Sequence, residues 1–250
     1  MSISKKLLII AENVPKVYEA GQKAGGDYDT AYNEGYGKGY TEGETAGYES
    51  GYADGQSNTP NLLEYATNIS NLYYGARFPA NTEMTIIVPS ATNINFLFYN
   101  ALGLTKATIK GISDNRKIES QQVFRESTNL EIIDLSDFLI KLGNAYQMFY
   151  KCTALTQIKG ELDFSECTNV NNTFVQCTAL VEVRIKANSL SLSIRFANSS
   201  NLSADSVQSI IDGLADLTGL DAQTITFHSS IVLTDEQKAT ISNKNWTLVQ

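Results

Sequence analysis

Bulky apolar residues in the second half of the chain recur on a long, regular period. Phe98, Phe124, Phe149, Phe174 and Phe196 each stand six residues before a leucine: Leu104, Leu130, Leu155, Leu180 and Leu202. Consecutive phenylalanines are about 25 residues apart, with the last step a little shorter than the others. Two copies are nearly identical, Phe-Tyr-Lys-Cys-Thr-Ala-Leu at 149–155 and Phe-Val-Gln-Cys-Thr-Ala-Leu at 174–180. After each Leu, apolar residues fall three and often five positions on, as in Leu130, Ile133, Leu135 and in Leu180, Val183, Ile185. This alternation predicts short strands whose inward side chains stack on those of the next unit. The copy from Leu155 departs at Gly160, where the pattern asks for an apolar side chain, and the copy from Leu104 to Ile109 is looser. Phe78 to Met84 reads as a degenerate sixth copy.

Beyond Leu202 the period changes. Val207, Ile210, Ile211, Leu214 and Leu217 lie on one face of a helix that opens at Ala204 and Asp205 and stops at Gly219. Residues 224–227 alternate like a strand, Asp235 and Glu236 start a second helix reaching about Ser242, and 246–249 read as a last strand. Two such helix–strand units would seal the open apolar end of a stack.

The first quarter of the chain has a different rhythm. Gly35, Gly39, Gly43, Gly47, Gly51 and Gly55 recur at every fourth residue, and Tyr36, Tyr40, Tyr48 and Tyr52 each follow one of them. A period of four fits a helix, where i and i+4 share a face, and fits neither a strand nor collagen. Six interior glycines cost a helix roughly 5 kcal/mol relative to alanine, so a lone helix of this kind should melt. The spacing therefore predicts a helix that packs closely on a copy of itself through these glycines and tyrosines, as a homo-oligomer; a trimer is favoured by analogy with fibrous proteins and not by the spacing. A flexible Gly-rich linker is the competing reading. The glycine stripe drifts about 40° per repeat, which calls for right-handed crossing. Residues 1–26 hold an amphipathic stretch interrupted by Pro15 and would dock onto other proteins.

Composition removes several functions. The chain has 250 residues, 42% of them hydrophobic and 18% charged, with a net charge of −8 and a pI near 4.8. Such acidity argues against nucleic acid or an anionic membrane as the main partner. Three cysteines and one histidine lack zinc-site spacing and cannot staple a disulfide scaffold, so neither metal nor cofactor is expected. Cys152 and Cys177 share one repeat position with Ala101, Ser127 and Ser199, a place for a small buried side chain. Thr153/Thr178 and Asn129/Asn201 read as turn and ladder groups bonding backbone. His228 beside Ser229 and Ser230 offers a Ser–His pair but no nucleophile elbow, and no catalytic residue is assigned. The apolar run 7–11 is too short for a signal peptide or a membrane span, which predicts neither Sec export nor membrane insertion.

Units of 20–29 residues with an L-x-x-I-x-L strand have the form of leucine-rich repeats. The Phe-x-x-Cys-x-x-Leu-x-x-Ile phrase resembles the BspA-like class of these repeats. The wider layout, from Ile10-Ala11-Glu12-Asn13-Val14-Pro15-Lys16-Val17-Tyr18 to Asn245-Trp246-Thr247-Leu248, resembles minor structural proteins of phages and prophages of Gram-positive bacteria. The resemblance implies an α+β chain: a long Gly-rich helical stalk, a leucine-rich-repeat solenoid and an α/β C-terminal cap. The corresponding segments are a stalk over 1–58, a linker and N-terminal cap over 59–95, repeats over 96–201 and capping repeats over 202–250. It also implies a virion fibre, spike or tail-associated protein that attaches through residues 1–26 and presents its repeats to a host cell-surface ligand. Alternatives are a BspA-like bacterial surface adhesin, an intracellular scaffold and a carbohydrate-active enzyme.

Overall fold

The computed structural model describes residues 66–250. In chain order they form β1 (Arg77–Ile87), β2 (Leu102–Lys110), β3 (Lys117–Glu119), β4 (Ile132–Asp134), β5 (Lys141–Asn144), β6 (Gln157–Leu162), β7 (Glu182–Ile185), β8 (Ile194–Phe196), α1 (Ala204–Gly213), β9 (Gln223–Phe227), α2 (Asp235–Asn243) and β10 (Trp246–Val249). Every strand pair is parallel. Three sheets result, ordered β1-β2-β4-β6-β7, β10-β9-β8 and β3-β5. A parallel neighbour requires the chain to travel round and return, so each pass of about 25 residues lies on the one before.

The periodic phenylalanines are the interior of these passes. Tyr73, Phe98, Phe124, Phe149, Phe174, Phe196 and Phe227 form one continuous ladder of stacked rings, with centroids 4.6–6.2 Å apart. The six phenylalanines are 0–1% exposed, and Leu104, Leu130, Leu155 and Leu180 are fully buried beside them, with Leu202 at 8%. The first rung is Tyr73 rather than Phe78, whose ring tilts 52° against Tyr73 at the edge of the core.

Around each of the first five rings the backbone makes the same turn. The residue two before the ring has positive φ in all five passes (Asn71, Phe96, Gln122, Gln147, Asn172), as does the residue two after it (Gly75, Asn100, Glu126, Lys151, Gln176). Such a conformation costs an L-residue about 1–2 kcal/mol. The return is a hydrogen-bonded column in which alternate N–H groups close the turn and the others reach the next pass. Leu97 and Tyr99 donate to Ile94 and Phe96 within the turn, whereas Phe96, Phe98 and Asn100 donate to the carbonyls of Gln121, Val123 and Arg125. In this pass every N–H from Phe96 to Asn100 finds a carbonyl despite the tight turn.

From Phe196 onward the two sides of each pass exchange character. The side that carried turns becomes β8, β9 and β10, and the side that carried strands becomes α1 and α2. Ser203 caps α1 by accepting from the Ser206 amide, and Thr234 with Gln237 forms a full capping box on α2. Val207, Ile210 and Ile211 of α1 are buried. The helix ends at Gly213 rather than Gly219. A Cβ on Gly213 would sit 2.5 Å from the Ile185 side chain, and Leu214 turns extended to bridge Leu190. Lys244 Nζ closes that end, donating to the carbonyls of Leu214 (2.6 Å), Asp212 (3.2 Å) and Ile211 (3.4 Å) and to Asn188 Oδ1.

This architecture corrects the expected fold. A leucine-rich-repeat (BspA-like) solenoid would carry its strand column in one sheet from first unit to last. The strands instead divide among three small parallel sheets, and the largest stops at β7. The physical reason is local. The Ser203 cap and the apolar stripe that follows fold the next would-be strand into α1, so strand pairing cannot continue past β7 on that side. The expected long helical stalk finds no counterpart among the described residues. The helices among the described residues have ten and nine residues, and neither is long and apolar enough to cross a membrane. The glycine-every-fourth (GxxxG) segment, with Gly35 to Gly55 and Tyr36 to Tyr52 as its interface, lies outside the described residues.

Gly160 marks a bulge. The β6–β7 register shifts between Gln157 and Glu161, φ of Gly160 is +90°, and a Cβ there would lie 2.8 Å from the Leu135 carbonyl. The position demands close backbone approach, which is why it departs from the apolar pattern.

Candidate binding cleft

The column of small residues three places after each ring does more than fill space. Ser127 Oγ donates to the Phe98 carbonyl (2.6 Å), Cys152 Sγ to that of Phe124 (2.9 Å) and Cys177 Sγ to that of Phe149 (3.0 Å), while Ser199 Oγ donates to that of Cys177 (3.1 Å). Serine and cysteine interchange here because each supplies a compact donor to the preceding pass. Burial pushes the Cys152 thiol well up and the Cys177 thiol up to about 12, so neither is a ready nucleophile. The aligned Asn129, Asn201 and Thr178 likewise bond backbone, at Gly103 N, Thr178 O and Thr153 O.

Outside the rings runs a second ladder. Tyr74 stacks on Tyr99 at 4.5 Å, and the Arg125 guanidinium lies 5.3 Å from the Tyr99 ring centre and 5.2 Å from that of Tyr150. Arg125 also donates to Gln147 Oε1 and pairs with Glu126. These groups are consumed in holding passes together. His228 is no better placed for chemistry. Its Nδ1 accepts from the Ser230 amide (3.1 Å) and meets Ser230 Oγ (2.8 Å), which is the closure of a local turn. Among the described residues, no group of three or more His, Cys, Asp or Glu could hold a metal ion.

Two surface clefts stand out among the described residues. The first, about 330 Å³, lies over β6 and β7 and includes Gln157, Lys159, Glu182, Arg184 and Asp205, so both signs of charge line it. Its Gln157 already donates to Glu182.

The second cleft is about 440 Å³ and lies where the left-handed turns give way to strands β8 and β9; its lining is Tyr146, Val170, Asn171, Asn172, Ser193, Arg195, Thr224 and Thr226. Local rules place each group. Asn144 and Asn169 close Asx turns by accepting from the amides of Tyr146 and Asn171 (both 2.9 Å), which fixes the backbone of those two lining residues. Asn172 holds positive φ at 59°. In β8 and β9, Ile194, Phe196, Ile225 and Phe227 are buried, so the period of two turns Ser193, Arg195, Thr224 and Thr226 outward. Arg195 pairs with Thr226 in the strand register. Ser193 is engaged by Gln223 Oε1 and the Thr224 amide.

Sequence reasoning missed this cleft, Tyr73 and Phe227. No family model matches the chain, and no curated protein or solved structure shows significant similarity to it. The resemblance to phage minor structural proteins with BspA-like repeats is therefore withdrawn as a family assignment, on this finding and on the three-sheet fold.

Proposed function

We propose that the chain is a structural binding protein of a virion, associated with a fibre, spike or tail, that holds a polar surface toward a host cell-surface ligand. The observation that supports this is the second cleft. Its side chains come from four successive passes, are mostly uncommitted to the fold among the described residues, and sit on backbone fixed by hydrogen bonds between passes. That is a rigid presenting surface rather than an enclosed reaction chamber. Self-association is assigned to residues 1–58 and contact with other virion proteins to residues 1–26. Display in several copies lets weak single contacts add. The test is location and competition. The chain should be found in fixed copy number on purified particles, and an excess of the purified full chain should slow their adsorption to host cells. Absence from purified particles overturns the reading.

A further inference from the structure

From the chemistry of the second cleft we infer that it is a binding site for an acidic saccharide, a sugar bearing one carboxylate. This rests on the proposed display function and names the ligand class of the same surface.

The charge pattern comes first. In a chain of net charge −8, the cleft is lined by a single charged residue, Arg195, and by no carboxylate. The ion pairs among the described residues engage other cations and leave the Arg195 guanidinium unspent. Acidic groups elsewhere on the surface are screened beyond about 8 Å at physiological ionic strength, so an approaching anion senses Arg195 locally. A guanidinium presents a planar fork that matches one carboxylate in two parallel hydrogen bonds. A phosphate carries nearly two charges and calls for further cations or converging backbone amides, and the lining supplies no second cation.

The neutral lining then selects what the carboxylate is attached to. Tyr146, Thr224 and Thr226 bring hydroxyls, and Asn171 and Asn172 bring amides. Each of these groups can both donate and accept, and a sugar ring offers hydroxyls that do the same. An apolar occupant would strip water from these groups without replacing its hydrogen bonds. The volume of about 440 Å³ is in the range of small-ligand sites. The cleft is open, so a single sugar should bind weakly, and multivalent display supplies the avidity.

The test is calorimetric or NMR titration of the full chain with D-glucuronate and N-acetylneuraminate, beside glucose and acetate. Saturable binding of at least one acidic sugar is expected, with glucose and acetate each at least about tenfold weaker. Arg195→Gln should weaken the acidic sugar about tenfold or more, the loss of one charge-assisted contact. Arg195 is exposed and unpaired, so this variant should unfold at the wild-type denaturant concentration. Arg184→Gln in the other cleft should bind as the wild type does. Equal affinity of Arg195→Gln and wild type, acetate binding as tightly as the sugar, or no saturable binding of either acidic sugar overturns the proposal. Particles that carry the chain while neither sugar binds would overturn the ligand class and leave the display function standing.

Discussion

Replacing Phe149 at the centre of the ring ladder tests whether the passes hold together through this column. The side chain is fully buried and stacks on Phe124 at 5.8 Å and on Phe174 at 5.3 Å. Truncating a buried phenylalanine to alanine costs about 3–5 kcal/mol through lost transfer energy and the cavity left behind. Two aromatic contacts of about 0.5–1.5 kcal/mol each vanish with it, placing Phe149→Ala near the top of that range. With a urea slope of about 2 kcal/mol per molar, the midpoint should fall by roughly 2 M. Phe149→Leu keeps most of the volume and should cost about 1–2 kcal/mol, mostly the ring contacts. A double-mutant cycle separates stacking from burial. Phe124→Leu with Phe149→Leu should show coupling of at least about 0.5 kcal/mol, because the rings touch. Phe98→Leu with Phe149→Leu, two rungs apart, should be additive within about 0.5 kcal/mol. Equal coupling in both pairs, or alanine costing no more than leucine, would refute the ladder as a source of stability.

Other consequences follow from the same geometry. Cys152→Ser should be neutral within about 1 kcal/mol, since serine fills that position at 127 and 199, whereas Cys152→Val leaves the Phe124 carbonyl with the Ser127 amide alone and overpacks a fully buried site, and should cost about 1–3 kcal/mol by urea melting. A thiol-specific colorimetric reagent should reach half-buried Cys167 before buried Cys152 and Cys177, and all three thiols should react in urea. Gly160→Ala should destabilise by more than about 1 kcal/mol, because its φ of +90° and the Leu135 carbonyl at 2.8 Å leave no room for a methyl group. For Asp163, burial alone would raise the carboxyl pKa, but Lys186 at 2.7 Å and the Ser165 hydrogen bonds outweigh it and hold the pKa below the usual carboxylate value. The pair's stability is thus fully present above the unfolded-state pKa near 4 and lost as pH falls through the lower folded-state value. Stability-versus-pH curves of wild type and Asp163→Asn should differ at neutral pH and converge in acid.

How much of the fold is legible in the sequence depends on how far each determinant reaches along the chain. Spacing alone locates the buried column, because Phe98 to Phe196 are equivalent only if each pass returns to the same place. The first rung is hidden from it because tyrosine substitutes for phenylalanine at Tyr73, one period ahead of Phe98, while Phe78 carries the expected residue type in the wrong place. Phe227 escapes because the pass that joins it to Phe196 is lengthened by α1 and so falls out of period. Helix starts are visible in Ser203 and Thr234, whose caps are local. The stop after Gly213 is not, since Leu214 turns extended there to bridge Leu190, far from it in sequence. The single continuous strand column fails for the same reason. Nothing within one unit announces that the following unit will offer a capped amphipathic helix to the sheet edge instead of another strand. The cleft is the extreme case, with Tyr146, Asn171, Arg195 and Thr226 each from a different pass and each ordinary in its own segment. They share a cleft because the turns that carry Tyr146 and Asn171 give way to β8 and β9, which carry Arg195 and Thr226. The structural irregularity that breaks the expected repeat is thus also what brings these four residues to one surface cleft.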